Sequence, residues 1–273
     1  MSIHKEDRKK ITTTQLKSMK SNGEKISVLT AYDYTTARIL DDAGIDVLLV
    51  GDSASNTMVG NATTLSITLD QMIYYAKSVV NGVHKAMVIV DMPFGTVSGD
   101  PLRSLHATIR VMRETGADAI KVEGGAEIKE DVKKIIDAGI PVMAHLGLMP
   151  QSINKYGTYA IRGKSEEEAQ KLMADCLLME ELGAFGILLE KIPSALATEI
   201  SQKIKIPTIG IGAGPGTDGQ VLVIQDLLGM NKDFSPKFLR RYADLHTIIT
   251  EATTHYIKDV KENSFPNENE SYK

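Results

Sequence analysis

At 273 residues the chain can bury a substantial core, and it has the length that α/β barrels reach as one domain. Hydrophobic residues at 42% and charged residues at 24% exclude a disordered or fibrous chain, while a net charge of -4 argues against nucleic-acid binding, which usually needs a basic surface. No stretch approaches the roughly 18 consecutive apolar residues that span a bilayer, and the charged segment Met1 to Lys10 lacks the apolar core of a secretory signal. A cytoplasmic protein without a membrane partner is expected.

Thr12 to Lys20 reads as a short helix with Leu16 and Met19 facing inward. Ile26 to Thr30 is the first strand and leads into Ala31-Tyr32-Asp33-Tyr34. A helix over Thr36 to Asp42 ends at Gly44, and Ile45 to Val50 is the second strand. There an apolar run switches abruptly to Asp52 and Ser53, as expected for a strand buried on both faces whose end forms a fixed platform. The loop beyond Ser53, about fifteen residues long, is of a length that is usually functional or disordered. A helix over Asp70 to Val80 follows, then strand Ala86 to Val90 ending at Asp91, helix Leu105 to Thr115 and strand Ala119 to Glu123.

Glu127 to Ala138 is a helix, Pro141 to Ala144 a strand ending at His145, and Leu146 to Lys164 a second long loop rich in Gly, Pro and Tyr. Ser165 and Glu168 have capping-box spacing at the start of a helix to Leu182. That helix carries Cys176, the only cysteine, which reads as a buried thiol and rules out an intrachain disulfide or thiolate cluster. Phe185 to Glu190 is the sixth strand, Ser194 to Lys203 a helix, Ile206 to Gly210 the seventh strand, and Gln220 to Ile224 the eighth. Pro236 to Val260 reads as one long amphipathic helix or two, and Lys261 to Lys273 as a polar, frayed tail. Without a distinctive linker, the reading is a single domain over 1–260 followed by a flexible tail over 261–273.

Strands alternating with helices admit an open doubly wound sheet or a closed (β/α)₈ barrel. In a barrel every C-terminal strand end points at one mouth, and polar or glycine-rich ends on most of these strands favour a TIM barrel with a short N-terminal helix and a C-terminal helical extension. Closure brings Asp52, Asp91, Glu123 and Glu190 together with Lys121 and His145. Acids crowded there repel one another unless a cation balances them, and an all-oxygen ligand set points to Mg²⁺ rather than Zn²⁺. Taken singly, each acid is also an ordinary loop or cap residue, and His145 an ordinary packed histidine. Lys121 differs, because Ala-Ile-Lys-Val-Glu alternates so that Lys121 and Glu123 share the interior face, where a lysine demands an anionic partner. Glycines 210, 212, 214 and 216 continue as a loop rather than opening a helix, so they fit close backbone approach better than a dinucleotide fingerprint. A phosphate site near the last two strands is open on fold grounds alone.

Seven segments taken in order resemble the ketopantoate hydroxymethyltransferase family over Thr12 to about Arg240. They are Ala31-Tyr32-Asp33-Tyr34, Val50-Gly51-Asp52-Ser53, Asp91-Met92-Pro93-Phe94, Lys121-Val122-Glu123-Gly124-Gly125, His145-Leu146-Gly147-Leu148-Met149-Pro150-Gln151, and Leu189-Glu190 with Ile209-Gly210-Ile211-Gly212-Ala213-Gly214. The resemblance implies a (β/α)₈ barrel assembled as a homo-oligomer, a decamer of two pentameric rings. It also implies transfer of a one-carbon unit from 5,10-methylenetetrahydrofolate to 3-methyl-2-oxobutanoate, giving 2-dehydropantoate in pantothenate and coenzyme A synthesis. Mg²⁺ would be held by Asp52 and Asp91, with Glu123 as a ligand directly or through water. Asp52, Ser53, Asp91, Lys121 and His145 would line the keto-acid site, and Glu190 would be the general base.

Two departures stand out. Ala54-Ser55-Asn56 replaces a common Leu-Gly-Met, which bears on the loop path, and Gln225 stands where many relatives have histidine. Rival readings are a Mg²⁺ carbon–carbon lyase resembling the phosphoenolpyruvate mutase and isocitrate lyase group, and a non-enzymatic scaffold. The catalytic cysteine loop of isocitrate lyases is missing, and a scaffold has no need of Lys121 among acids.

Overall fold

Eight parallel strands pair in chain order and close into a barrel when β8 bonds to β1. The strands are β1 (Ile26–Thr30), β2 (Val47–Val50), β3 (Met87–Asp91), β4 (Ala119–Glu123), β5 (Val142–Gly147), β6 (Gly186–Glu190), β7 (Thr208–Ile211) and β8 (Gly219–Leu222). This computed structural model describes residues 9–272, so the reading of Met1 to Arg8 and of Lys273 lies outside the described residues. The open-sheet alternative is excluded, and every strand expected from the sequence is present within a few residues.

The helices are α1 (Thr13–Asn22), α2 (Tyr34–Ala43), α3 (Ala54–Thr57), α4 (Leu69–Gly82), α5 (Pro101–Thr115), α6 (Lys129–Asp137), α7 (Ile153–Tyr156), α8 (Glu166–Leu182), α9 (Ser194–Lys203), α10 (Ile224–Leu227) and α11 (Leu245–Lys261). Caps set many of their starts: Thr12, Asp33, Thr68, Asp100 and Ser165 each accept a backbone N–H from the first turn. Both long loops are folded, the first through α3 and a 3₁₀ turn at Thr64–Ser66, the second through a 3₁₀ turn at Pro150–Ser152 and α7.

Alternation along each strand builds the interior. Val28, Val47, Leu49, Met87, Ile89, Ala119, Met143, Leu188, Ile209 and Val221 form one buried cluster, while the intervening Leu48, Val88, Ile120 and Ile187 are buried outside that set. Leu16 of α1 joins the cluster. Lys20 Nζ donates to Ser201 O at 2.8 Å, Ile206 O at 3.0 Å and Asp218 Oδ2 at 2.8 Å, fastening α1 across the N-terminal strand ends. The same two-residue step continues upward from Ile89 to Asp91, Ala119 to Lys121 and Glu123, Met143 to His145, and Leu188 to Glu190. One interior face thus runs from hydrocarbon to charge.

Contacts divide the chain into two compact units, one ending at Val223 that holds the barrel and one beginning at Ile224. The division falls directly after β8, inside the 1–260 stretch that the sequence reads as one domain. Within the second unit, the helix expected from Pro236 begins only at Leu245, because Asp244 caps it there, accepting from Thr247 N at 3.2 Å and Thr247 Oγ1 at 2.7 Å. The preceding stretch turns around Arg241, whose Nη2 donates to the carbonyls of Asn231, Lys232 and Phe234. In the expected tail, Phe265 packs edge-on against Tyr256 and a 3₁₀ turn covers Glu268–Glu270.

Gly147 closes β5 with φ 93°, and a Cβ there would lie 2.4 Å from Glu190 O. Both the left-handed backbone and the close approach require glycine. Gly147→Ala is expected to destabilise the protein by about 2 kcal/mol or more, read as a lower urea midpoint; an unchanged midpoint would contradict this account.

Candidate active site

Strand register assembles the mouth. Asp91 of β3 lies beside Lys121 of β4, Glu123 beside His145 of β5, and Gly147 beside Glu190 of β6. Asp52 arrives differently, one residue past Gly51 and just after β2, and its backbone N–H donates to Asp91 Oδ2 at 3.0 Å. Lys121 Nζ sits 3.1 Å from Asp91 Oδ1 and 3.1 Å from His145 Nδ1. His145 bridges two acids, with Nδ1 3.3 Å from Glu123 Oε1 and Nε2 3.4 Å from Glu190 Oε2. The sequence-derived set Asp52, Asp91, Lys121, Glu123, His145 and Glu190 is therefore one connected cluster.

Ser53 stands slightly apart. Its Oγ hydrogen-bonds Tyr32 Oη at 2.8 Å, and Ser53 opens α3. Tyr32 is buried, which pushes its phenol up to about 12 against the hydrogen bonds from Ser53 and neighbouring threonines, so it stays neutral. The departure at Ser55 is absorbed locally. Its Oγ donates to Thr63 O at 2.8 Å and accepts from Asn61 Nδ2 at 3.1 Å, while Asn56 Nδ2 donates to Asn61 O at 2.8 Å, so the loop is stapled shut. Gln225 lies in α10 of the second unit, and nothing in the structure explains that change.

Burial sets the electrostatics. Asp52 is pushed up to about 8, first by desolvation and then by Asp91 and Glu123, against Lys121 and a hydrogen bond from Gln151. Asp91 is also raised by burial, although Lys121 and the Asp52 N–H oppose that rise. Burial works against the charged form of Lys121, but Asp91, Glu123 and Asp52 outweigh it and hold the ammonium above its ordinary range. Burial would raise Glu123, yet His145, Lys121 and the Gln151 N–H together hold it below the ordinary carboxylate value. For His145, burial and Lys121 are overcome by Glu123 and Glu190, raising the imidazole to about 9. The two acids thus favour the protonated ring, whose nitrogens face Glu123 on one side and Glu190 on the other.

Asp91 Oδ1 and Glu123 Oε1 are buried without a well-aligned hydrogen bond, meeting Lys121 Nζ and His145 Nδ1 only as ion pairs. Hard oxygens whose lone pairs are left largely unfilled suit a hard divalent cation. Among the described residues no group of three His, Cys, Asp or Glu is arranged to hold an ion by itself. Two carboxylates with the remaining positions left to water and a ligand still meet the needs of Mg²⁺.

The chain matches the family described as ketopantoate hydroxymethyltransferase over residues 10–268. The chain belongs to that family. It is 63% identical over 267 residues to a 3-methyl-2-oxobutanoate hydroxymethyltransferase of Bacteroides fragilis, covering 98% of each chain. Identity is 61% over 272 residues to the enzyme of that name from Cytophaga hutchinsonii, covering 100% of each. Solved structures share the fold: a phosphonopyruvate hydrolase in complex with oxalate and Mg²⁺ superposes with TM-score 0.61 at 12% identity, covering 95% of this chain and 93% of that one. A 2,3-dimethylmalate lyase superposes with TM-score 0.58 at 17% identity, covering 96% and 91%.

Other sequence readings resolve plainly. Cys176 is buried and its thiol is pushed up by desolvation, as expected of an inert core thiol. The late glycines press the chain onto α9, since a Cβ at Gly214 would lie 2.0 Å from Ser194 Oγ and one at Gly216 1.9 Å from Thr198 Oγ1. Sequence reasoning singled out neither Tyr32 nor Gln151, although both stand inside the quoted segments. Their contacts depend on how loops fold back, for which spacing gives no signal. Among the described residues no helix is long and apolar enough to cross a membrane.

An acid with a folded pKa near 8 binds its proton across a range where the unfolded chain, titrating near 4, has lost it, so its contribution lowers stability as pH climbs through that window. In EDTA at pH 8, Asp52→Asn is expected to raise Tm by roughly 5 °C. A variant melting at or below the parent would contradict the assigned cost.

Proposed function

We propose that this chain is a 3-methyl-2-oxobutanoate hydroxymethyltransferase that takes its one-carbon unit from 5,10-methylenetetrahydrofolate and gives 2-dehydropantoate in pantothenate and coenzyme A synthesis. The observation that carries this reading is the convergence of Asp52, Asp91, Glu123 and Glu190 on Lys121 and His145 at one barrel mouth, in a chain of this family. It works in the cytoplasm as a homo-oligomer, and the decamer is taken from the family resemblance alone.

Asp52 and Asp91 would hold Mg²⁺, with Glu123 acting through an intervening water, since its oxygens already face His145 and the Gln151 N–H. When bound, the ion would stabilise the negative charge that builds on the ketone oxygen of a chelating 2-keto acid. Ser53 and Lys121 bind the keto acid, Ser53 by hydrogen bonding and Lys121 by charge. Glu190 is the general base. It is the least enclosed acid of the cluster, its side chain 18% exposed where that of Glu123 is 4% exposed, so it can reach a ligand at C3. Glu190 removes the C3 proton, the electron pair moves onto the ketone, and C3 then forms its bond to the donor's methylene carbon, which is released from both donor nitrogens. One C–N bond opens to make that carbon electrophilic and the second is replaced by the C–O bond as water supplies the hydroxyl oxygen, each nitrogen leaving with a proton. His145, positively charged beside Glu190, holds that carboxylate in place.

Turnover of 3-methyl-2-oxobutanoate with 5,10-methylenetetrahydrofolate, with and without Mg²⁺, tests the assignment against 2-oxobutanoate and phosphonopyruvate. Preference for phosphonopyruvate would favour the lyase-type reading instead. Glu190→Gln should keep keto-acid and Mg²⁺ binding while C3 proton exchange into deuterated water falls at least about 100-fold; exchange at the parent rate would remove Glu190 as base. Asp91→Ala should weaken Mg²⁺ and keto acid together in calorimetry, and unchanged affinity for both would contradict its role.

A further inference from the structure

Gln151 spans three strand ends. Beyond Gly147 the chain turns through Pro150–Ser152, and from there Gln151 Nε2 donates to Asp52 Oδ2 at 2.9 Å and to Met92 O at 3.0 Å. Its backbone N–H donates to Glu123 Oε2 at 2.9 Å. Both groups facing Nε2 accept hydrogen bonds, so the amide has one orientation and both its hydrogens are engaged. The side chain thereby occupies one oxygen of the Asp52 carboxylate and anchors itself on the backbone after β3. The same residue grips Glu123 from the β5 side. A carboxylate hung on two rotatable bonds needs such a partner to present its second oxygen in one direction, and partners of this kind commonly govern metal affinity.

We propose that Gln151 is a positioning residue for the cation site, fixing the rotation of the Asp52 carboxylate through its side-chain amide and that of Glu123 through its backbone N–H. This rests on the reading that Asp52 and Asp91 hold a divalent cation. Asparagine could not substitute, being one methylene too short to reach Asp52 from the same backbone. A lysine would bring its own positive charge to the place where the cation is needed. The residue needed is a neutral double donor of glutamine's length.

The test uses the full-length protein without substrates and Mn²⁺ as the probe, its free concentration followed by electron paramagnetic resonance. Gln151→Met keeps the side-chain volume and the main-chain bond to Glu123 but has no donor for Asp52. Its Mn²⁺ affinity should fall about tenfold or more, and Gln151→Asn should lose affinity by a similar factor despite keeping an amide. In turnover the loss should appear as a raised Mg²⁺ requirement, with kcat returning toward the parent value at saturating Mg²⁺. Either folded variant binding Mn²⁺ within twofold of the parent would overturn the positioning role while leaving the cation reading intact. A parent protein that binds no Mn²⁺, or binds it as well after Asp91→Ala, would overturn the cation reading and the role of Gln151 with it.

Discussion

The structure depends on a buried imbalance of charge. Lys121 and His145 provide two positive groups to a cluster of four acids, three of them deeply enclosed. Desolvation penalises every unpaired charge in that cluster, and it raises the proton affinity of Asp52 and Asp91 together. Such a cluster is poor design for stability, because hydrocarbon of the same volume would pack without electrostatic cost. It suits the proposed binding of a cation and a keto acid, which would bring one positive partner and one anion to chelate it. The lower barrel compensates with a continuous hydrocarbon core, so the costly groups stand on a rigid floor.

Much of this was legible in the sequence because the barrel uses period two in its simplest form. Ala-Ile-Lys-Val-Glu places Lys121 and Glu123 on the face of Ala119, and the structure places Val122 on the other face, buried among the helices. The same pattern exposed Asp91, His145 and Glu190 as strand-end residues. Loops hid the rest. Gln151 reaches Asp52 across a sequence separation of 99 residues, and Tyr32 reaches Ser53 because α3 begins immediately after the strand end. Neither contact follows from spacing. The late onset of α11 was missed for a related reason: apolar residues from Phe238 to Tyr242 match helical periodicity, but the cap at Asp244 and the carbonyls gathered by Arg241 hold that stretch in turns. Periodicity registers the apolar residues, whereas the decision belonged to a few polar ones.

The substitution at Ser55 shows how a loop beside such a site can change its wording and keep its path. Where a glycine would leave the backbone free, serine bonds across to Thr63 and Asn61 and sets the loop from within. The path is therefore carried by three side chains of this chain, Ser55, Asn56 and Asn61, rather than by backbone freedom. The neighbouring Asp52 and Ser53 inherit that order, since α3 starts directly from them.

Leu16 and Lys20 close the opposite end of the barrel, one with hydrocarbon and the other by fastening α1 to the strand starts. A vessel stoppered below has a single doorway. With the strand starts covered, the face that carries the charged cluster is the one left for ligands to approach, as in barrels generally. Residues far from any reacting atom thus decide which side of the sheet is the doorway.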